Sequence, residues 1–434
     1  MICSIVEQKK MLNLIKKLWP INRSLTGEGN RKTLKILKSI CNSLKIKEIK
    51  SGKKVFDWTI PLEWNVREAW IKDSNDKVII DFKKNNLHLV GYSIPVKKKI
   101  KLNILKKKIF TLKDQPNAIP YVTSYYKKDW GFCMPYNLKK KMKKKFYKVF
   151  IDSKFKKGSL SFGEIFIKGK SKKEVFFSTY ICHPSMANNE LSGPCIAINL
   201  AKWLSNQKKL NYSYRFVFIP ETIGSIAYIH QNFKKLKRNV IAGFNLTCLG
   251  DERCYSYLPS RNGNTYSDNI AKHILYHTDK NFKKYSWLSR GSDERQYCAP
   301  GVDLPIATIM RSKYGTYPEY HTSLDKIGSV VTEKGLSQSL NLYKKIVFMI
   351  ENNLKPKTNI KPKTNIICEP MLSKRNLYPT FSLKKRDKDS HHMLNFLSFC
   401  DGNHTLLEIS DKISLKFDKV FDYYAIFKNN RILK

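Results

Sequence analysis

His183 and Glu190 lie in Phe177-Ser-Thr-Tyr-Ile-Cys-His-Pro-Ser-Met-Ala-Asn-Asn-Glu-Leu-Ser-Gly-Pro194. An imidazole with a nearby carboxylate is donor chemistry that holds a divalent metal such as zinc. Three more places set ionisable groups just beyond apolar runs. Glu221 follows Phe216-Val-Phe-Ile-Pro220 and precedes Thr-Ile-Gly-Ser225. Asp293 and Arg295 sit in Gly291-Ser-Asp-Glu-Arg-Gln296, and Tyr320 and His321 in Tyr317-Pro-Glu-Tyr-His-Thr-Ser-Leu-Asp325. Asp251, just after Leu249-Gly250, is a weaker fifth candidate. Two histidines with carboxylates suit zinc, and a further glutamate left off the metal suits a general base acting on water. Taken singly each is weak, because a lone loop histidine is usually structural and a glutamate after a strand is as often a cap partner as a base. Arg311 or Arg295 could grip a substrate carboxylate. Cys182, beside His183, reads as core rather than nucleophile.

These groups gain weight from the elements that must carry them. Strands are predicted at Phe146–Asp152, Glu174–Ile181, Tyr214–Pro220, Val240–Leu249 and Leu304–Met310. Helices are predicted at Gly193–Leu204, Ser225–Leu236, Ser267–His277 and Glu333–Asn352. Alternation of this kind is an α/β sheet, and its strand ends converge on one crevice. Before it, residues 4 to 45 read as two helices. From 50 to 145 the pattern turns to short strands, at Lys77–Phe82, Leu87–Tyr92 and Lys108–Leu112, with tryptophan-rich corners. That stretch reads as an inserted β-rich module whose packing accounts for its tryptophans. Lys355-Pro-Lys-Thr-Asn-Ile360 is repeated at once as Lys361 to Ile366, an exposed connector. Three short helices, His392–Cys400, Thr405–Ile413 and Lys419–Phe427, close the chain as a small helical or winged-helix module. The expected division is 1–49 and 146–354 for the α/β domain, 50–145 for the insertion, 355–388 for a linker and 389–434 for the last module.

Composition narrows the function classes. The formal net charge is +46, carried by 81 lysines and arginines against 35 acids. The excess is mostly lysine in runs such as Lys97 to Lys99, which read as solvated faces, and lysine makes poorer phosphate forks than arginine. No specific nucleic acid is therefore expected, only loose adhesion to polyanions at low salt. The terminal helices carry Asp401, Glu408, Asp411 and Asp418 where a DNA-reading helix would be basic, so a protein contact or dimerisation is the better reading. No apolar stretch approaches the roughly 18 residues of a membrane span, and no signal-peptide core opens the chain, so a cytoplasmic protein is expected. Ten scattered cysteines without a C-x-x-C pair argue against a zinc ribbon. No phosphate-binding glycine loop follows a strand.

The order His183…Asn-Asn-Glu-Leu-Ser-Gly193, Pro220-Glu-Thr-Ile-Gly-Ser225, Ser292-Asp-Glu294…Gly301-Val…Pro305, Tyr320-His-Thr-Ser-Leu-Asp325 resembles the M28-type zinc aminopeptidases. More closely it resembles their aminopeptidase-like DUF4910 branch, often encoded among polysaccharide-biosynthesis genes. Leu18-Trp-Pro-Ile-Asn-Arg-Ser-Leu-Thr-Gly-Glu-Gly29 is similar to that branch too. The resemblance implies an M28-like (phosphorylase/hydrolase-type) three-layer α/β sheet domain, an inserted β-rich domain (DUF2172) and a small C-terminal winged-helix-like domain. It matches His183 and His321 to metal ligands and Glu221 to the general base. Asn189, Thr222 and Thr247 stand where the family has carboxylate ligands, which implies one zinc rather than two, held by His183, His321 and Glu190. Asn189, Asp293, Asp251, Arg295 and Tyr320 then fall into supporting or substrate-binding places. The function implied is a metal-dependent hydrolase cleaving an N-terminal peptide bond or an amino-sugar amide, in surface-polysaccharide biosynthesis, with a homo-oligomer among its expected forms. The alternative is a catalytically inactive, peptidase-derived binding protein of a polysaccharide-assembly pathway.

Overall fold

A computed structural model describes residues 4–125, 127–358 and 388–434, with Pro370, Leu372, Arg375 and Leu377 between them. The second copy of the connector repeat, and most of the expected linker, lie outside the described residues. The chain forms two compact units, one comprising residues up to Asp268 with Asn281–Asn341, the other Asn269–Lys280 with Leu342–Lys434. Among the described residues no helix is long and apolar enough to cross a membrane.

The first unit is organised by an eight-stranded sheet in the order Lys45–Lys50, Ser159–Ile167, Ser213–Ile219, Glu174–Tyr180, Val240–Asn245, Ile306–Met310, Ser256–Leu258, Lys283–Lys284. The four strands from Ser213–Ile219 to Ile306–Met310 are mutually parallel, and antiparallel partners flank them on both sides. Every residue of Glu174–Tyr180 and of Ser213–Ile219 is buried, as a parallel core covered on both faces requires. From Glu174–Tyr180 the chain passes through helix Ser192–Ser205 to Ser213–Ile219 on one side. It then returns through helix Ile223–Asn239 to Val240–Asn245 on the other. Connections running in opposite directions from one strand make a switch point, and the crevice opens at that strand's carboxyl end. One buried ion cluster staples three of the strands. Arg215 donates to Glu174 at 2.6 and 3.0 Å and also to Glu164, which takes the Tyr228 hydroxyl at 2.6 Å.

Three expectations are corrected here. Phe146–Asp152 does not join the α/β sheet. The strand runs Phe146–Lys156 and pairs antiparallel with Glu63–Asp73 and Val96–Lys101 in a separate four-stranded sheet with Val78–Asp81. Its burial alternates residue by residue, the mark of a half-buried antiparallel strand. Leu87–Tyr92 is not a strand either. Asn85 accepts the Leu87 N–H at 2.9 Å and caps a single 3-10 turn at Asn86–His88. Lys108–Leu112 shortens to Ile109–Phe110. The sequence reading also passed over Lys45–Lys50 and Ser159–Ile167, which pair with each other at the edge of the main sheet.

In the second unit, helices Lys388–Ser398, Leu406–Lys412 and Phe417–Asn429 enclose Phe396, Leu406, Ile409, Phe417, Val420 and Phe427. Phe396 stacks on Phe427 with centroids 5.8 Å apart. Antiparallel bridges from Lys357 to Asp401 and from Thr358 to Leu433 close a small wing. Within the same unit, His273 meets Asp411 at 2.6 Å and accepts the Phe417 N–H at 3.1 Å. Thr405 and Glu408 form a reciprocal capping box at the start of Leu406–Lys412. Thr405→Ala should therefore cost about 1 kcal/mol of this unit's stability. A urea melt followed by the fluorescence of its aromatic residues would measure that.

Candidate metal and catalytic site

His183 stands just past the end of Glu174–Tyr180, at the switch point, and is 5% exposed. The chain after it makes one π-type turn, Ala187–Leu191, before helix Ser192–Ser205 begins. Such turns are uncommon and recur at functional sites. Gly193 is obligatory at this join, since a Cβ there would fall 2.3 Å from the Leu246 carbonyl oxygen and 2.5 Å from Thr179 Oγ1. Asp325 holds the turn from outside. Its Oδ1 takes the Asn188 N–H at 2.7 Å, and its Oδ2 takes the Asn189 N–H at 2.9 Å and the Tyr317 hydroxyl at 3.2 Å. Burial still pushes the Asp325 carboxyl up to about 6.

The turn delivers Glu190 into the interior. Its Oε2 lies 2.8 Å from Nδ1 of His183, and its Oε1 lies 3.7 Å from Nε of the fully buried Arg23. Arg23 also donates to the His183 carbonyl at 3.0 Å and to the Leu18 carbonyl at 2.6 Å. Glu190 thus contacts the back of the imidazole, and the front nitrogen, Nε2, faces Glu221 Oε2 at 3.6 Å. A carboxylate behind a histidine fixes which nitrogen carries the proton and leaves the other free to bind. Burial alone would lower the His183 pKa, but Cys182 and Glu190 outweigh it and the group sits well above its ordinary value.

Glu221 follows Pro220 at the end of Ser213–Ile219. Its Oε1 accepts the Ser292 hydroxyl at 2.7 Å. Burial raises this carboxyl, while His183 and Ser292 pull it down by less. Thr222 has φ +65°, uncommon for a β-branched residue. Its N–H donates to Asp293 Oδ1 at 2.8 Å, and its hydroxyl accepts from Arg295 Nη2 at 2.8 Å. Asp293 also takes the Ser225 hydroxyl at 2.8 Å. Burial, and then Glu221, push the Asp293 carboxyl up to about 8. Ser185, Cys248 and His321 share the left-handed conformation with Thr222, at φ 48°, 50° and 54°. Non-glycine strain of this kind gathers at working sites.

His321 completes the cluster. Its ring centroid is 5.4 Å from that of His183, and Tyr320 stacks on it at 3.8 Å. Its Nε2 is buried with no hydrogen-bond partner. Burial and then His183 push the His321 pKa down to about 3, so its ring is neutral. From the inserted segment, Tyr121 stands 5.0 Å from the His183 ring and 5.1 Å from the His321 ring, with its hydroxyl 2.9 Å from that of Tyr125. A cavity of about 180 Å³ opens here between Leu25, Tyr125, His183, Glu221, Thr222 and Arg295. A larger hollow of about 350 Å³, walled by Phe110, Tyr125 and Trp130, has no histidine on its wall and shares Tyr125 with this cavity.

Two imidazole nitrogens of the crevice are placed to share one metal ion. Two imidazoles on a tetrahedral ion, each nitrogen roughly 2 Å from it, place their rings about 5 Å apart, and the unpartnered Nε2 of His321 is a donor without a task. A second ion does not fit. Asn189 Nδ2 donates to the Tyr180 hydroxyl at 2.9 Å, and that hydroxyl lies 2.6 Å from Thr247 Oγ1. Neutral groups joined through a phenol cannot offset a second dication. Cys182, His183 and Glu190 also bring potential ligand atoms within 4.8 Å of one another. Burial pushes that thiol up to about 11, it accepts the Glu221 N–H at 3.2 Å, and Glu190 is already engaged by His183 and Arg23. We read this trio as the support of His183.

The structure brings His183, Glu190, Glu221, Asp293, Arg295, Tyr320 and His321 to one crevice. Asn189 lies behind it. Asp251 does not reach it: its oxygens are taken by Asn188 Nδ2 at 3.1 Å, the Arg253 N–H at 2.9 Å, the Ser312 N–H at 3.0 Å and the Ser312 hydroxyl at 2.9 Å. Arg311 lies over the Tyr255 ring at 4.0 Å. Arg23, Ser292 and Asp325 were given no role by sequence reasoning.

The model of the family described as a domain of unknown function, DUF4910, matches residues 12–353. The chain belongs to that family. The inserted sheet falls inside the DUF4910 match, and a winged helix-turn-helix model matches residues 360–434. A Clostridium acetobutylicum protein, provisionally named as a polysaccharide biosynthesis protein with an aminopeptidase-like domain, is 41% identical over 417 residues, or 95% of this chain and 93% of its own. A crystal structure of a provisionally named peptidase from Clostridium acetobutylicum is 39% identical with a TM-score of 0.91, covering 98% of this chain and 96% of its own. A zinc aminopeptidase from Bacillus subtilis is similar in fold alone, at 14% identity and a TM-score of 0.57 over 79% of this chain and 95% of its own. The DUF4910 chain therefore has a peptidase-like α/β fold.

Proposed function

We propose that this protein is a zinc-dependent hydrolase of a peptide or amino-sugar amide. The observation that carries the reading is the buried, unpartnered Nε2 of His321 in the same crevice as Nε2 of His183 and the carboxylate of Glu221. His183 and His321 would hold the ion, with Glu190 acting on Nδ1 of His183 rather than on the metal. Zinc bound there would polarise the scissile carbonyl and acidify water. Glu221, fixed through Oε1 by Ser292, takes the proton of the attacking water on Oε2 and returns it to the leaving amine. Tyr121, Tyr125 and Tyr320 wall the crevice and limit bulk water. The provisional name of the Clostridium acetobutylicum relative supports a place in polysaccharide biosynthesis. Cys41, Cys133, Cys182, Cys248, Cys254, Cys298 and Cys400 form no disulfide, which supports a reducing, cytoplasmic setting. For the winged-helix unit the acidic Glu408 and Asp411 favour a protein contact over DNA.

The neutral Asn189, Thr222 and Thr247 favour the second reading, a binding protein without catalysis. Metal analysis separates the two. About one zinc per chain is expected by plasma mass spectrometry, lost in His183→Ala and in His321→Ala. No zinc after reconstitution would end the hydrolase reading, and two per chain would overturn the single-ion site.

A further inference from the structure

The charged groups of the small cavity differ in how far they are committed. Glu221 is bonded to Ser292 and faces His183. Burial holds the Tyr125 hydroxyl well above its ordinary pKa, so it stays neutral. Arg295 is different. It stands at the exposed end of the cavity, and among the described residues no carboxylate oxygen lies within 4.0 Å of its guanidinium. Its hydrogen bond is to a neutral hydroxyl, Thr222 Oγ1, at 2.8 Å. Thr222 has φ +65°, and its N–H donates to Asp293 Oδ1 at 2.8 Å.

A free amino terminus would need an acidic partner in this cavity. Of the nearby carboxylates only Glu221 lines the cavity, with Oε1 on the Ser292 hydroxyl and Oε2 facing His183 as the oxygen assigned to the proton transfer; Glu190 and Asp293, whose Oδ2 is buried without a partner, are not on its wall. An ammonium would also meet the Arg295 charge. A carboxylate meets the opposite situation, a guanidinium with donors to spare beside a hydroxyl. The cavity, at about 180 Å³, is smaller than the roughly 300 Å³ at which drug-sized pockets begin, so it admits only a small end of a substrate.

We propose that Arg295 anchors a carboxylate on the substrate, so that the amide presented to Glu221 belongs to an N-acyl amino acid or a comparable acid-bearing amide rather than to a free amino terminus. This substrate class rests on the hydrolase reading, while the binding it requires does not. Calorimetry on the full chain in chelator tests the binding alone, with N-acetylglycine and glycinamide as probes. N-acetylglycine should bind, Arg295→Gln should weaken it about 10-fold or more, Arg295→Lys should weaken it less, and glycinamide should not bind. Unchanged melting temperatures would show that the variants fold. Tighter binding of glycinamide, no binding of either probe, or equal N-acetylglycine affinity in Arg295→Gln would overturn the proposal. In the last case a shifted pH profile of activity would mark Arg295 as a counter-charge for Glu221 only. A protein that binds N-acetylglycine through Arg295 yet takes up no zinc would sink the hydrolase reading and leave the anchor standing.

Discussion

Glu221→Gln should lower kcat for amide hydrolysis by about 10²- to 10⁴-fold, the usual contribution of a positioned acid–base group. Stability should change by less than about 1 kcal/mol, because the amide keeps the volume and can still accept the Ser292 hydroxyl now received by Oε1 at 2.7 Å. What disappears is the second oxygen, which faces His183 at 3.6 Å and has a proton to carry. Burial raises the Glu221 carboxyl toward the range in which such a group both takes and releases a proton near neutral pH. Zinc content separates the roles. A variant that is inactive but still holds its zinc places Glu221 off the ion, as a base. Loss of zinc and activity together would make Glu221 a ligand, and full activity would remove it from the reaction.

The strand ends that carry this chemistry were legible because parallel strands covered on both faces leave long apolar runs, as in Glu174–Tyr180 and Ser213–Ile219. Their convergence followed from the switch-point rule. Phe146–Lys156 was misplaced although its alternating pattern marked a half-buried strand, since periodicity tells which faces are covered and not which partner covers them. Lys45–Lys50 was hidden for a related reason: alternate lysines on an edge strand look like a solvated run. The supports of the site were out of reach. Arg23 acts on His183 across 160 positions and Asp325 on Asn189 across 136, and neither residue differs in type from a surface charge. Glu190 shows the limit most directly. Its spacing from His183 suits a shared ion and equally suits a bond to the far imidazole nitrogen, and the π-type turn at Ala187–Leu191 presents it to that nitrogen.

That contact predicts a second large effect. Glu190→Gln should destabilise the protein by about 3 to 5 kcal/mol, because Arg23 would be left buried without its counter-charge. Arg23 and Glu190 have no exposed side-chain surface, and burial already pulls the Arg23 pKa down while Glu190 pushes it back. Zinc affinity should also fall about 10- to 100-fold, the usual loss when the group behind a metal-binding histidine is removed. Arg23→Met added to Glu190→Gln should restore most of the stability, since it removes the stranded charge, and should leave zinc affinity low, since the amide behind Nδ1 of His183 carries no negative charge. Urea melts and competition titrations with a zinc chelator read the two quantities separately, and the double-mutant cycle isolates the pair. Zinc binding abolished outright in Glu190→Gln would put Glu190 on the ion after all. A double variant no more stable than the single one would mean that Arg23 is held chiefly by the Leu18 and His183 carbonyls, at 2.6 and 3.0 Å, and that the carboxylate serves the histidine alone.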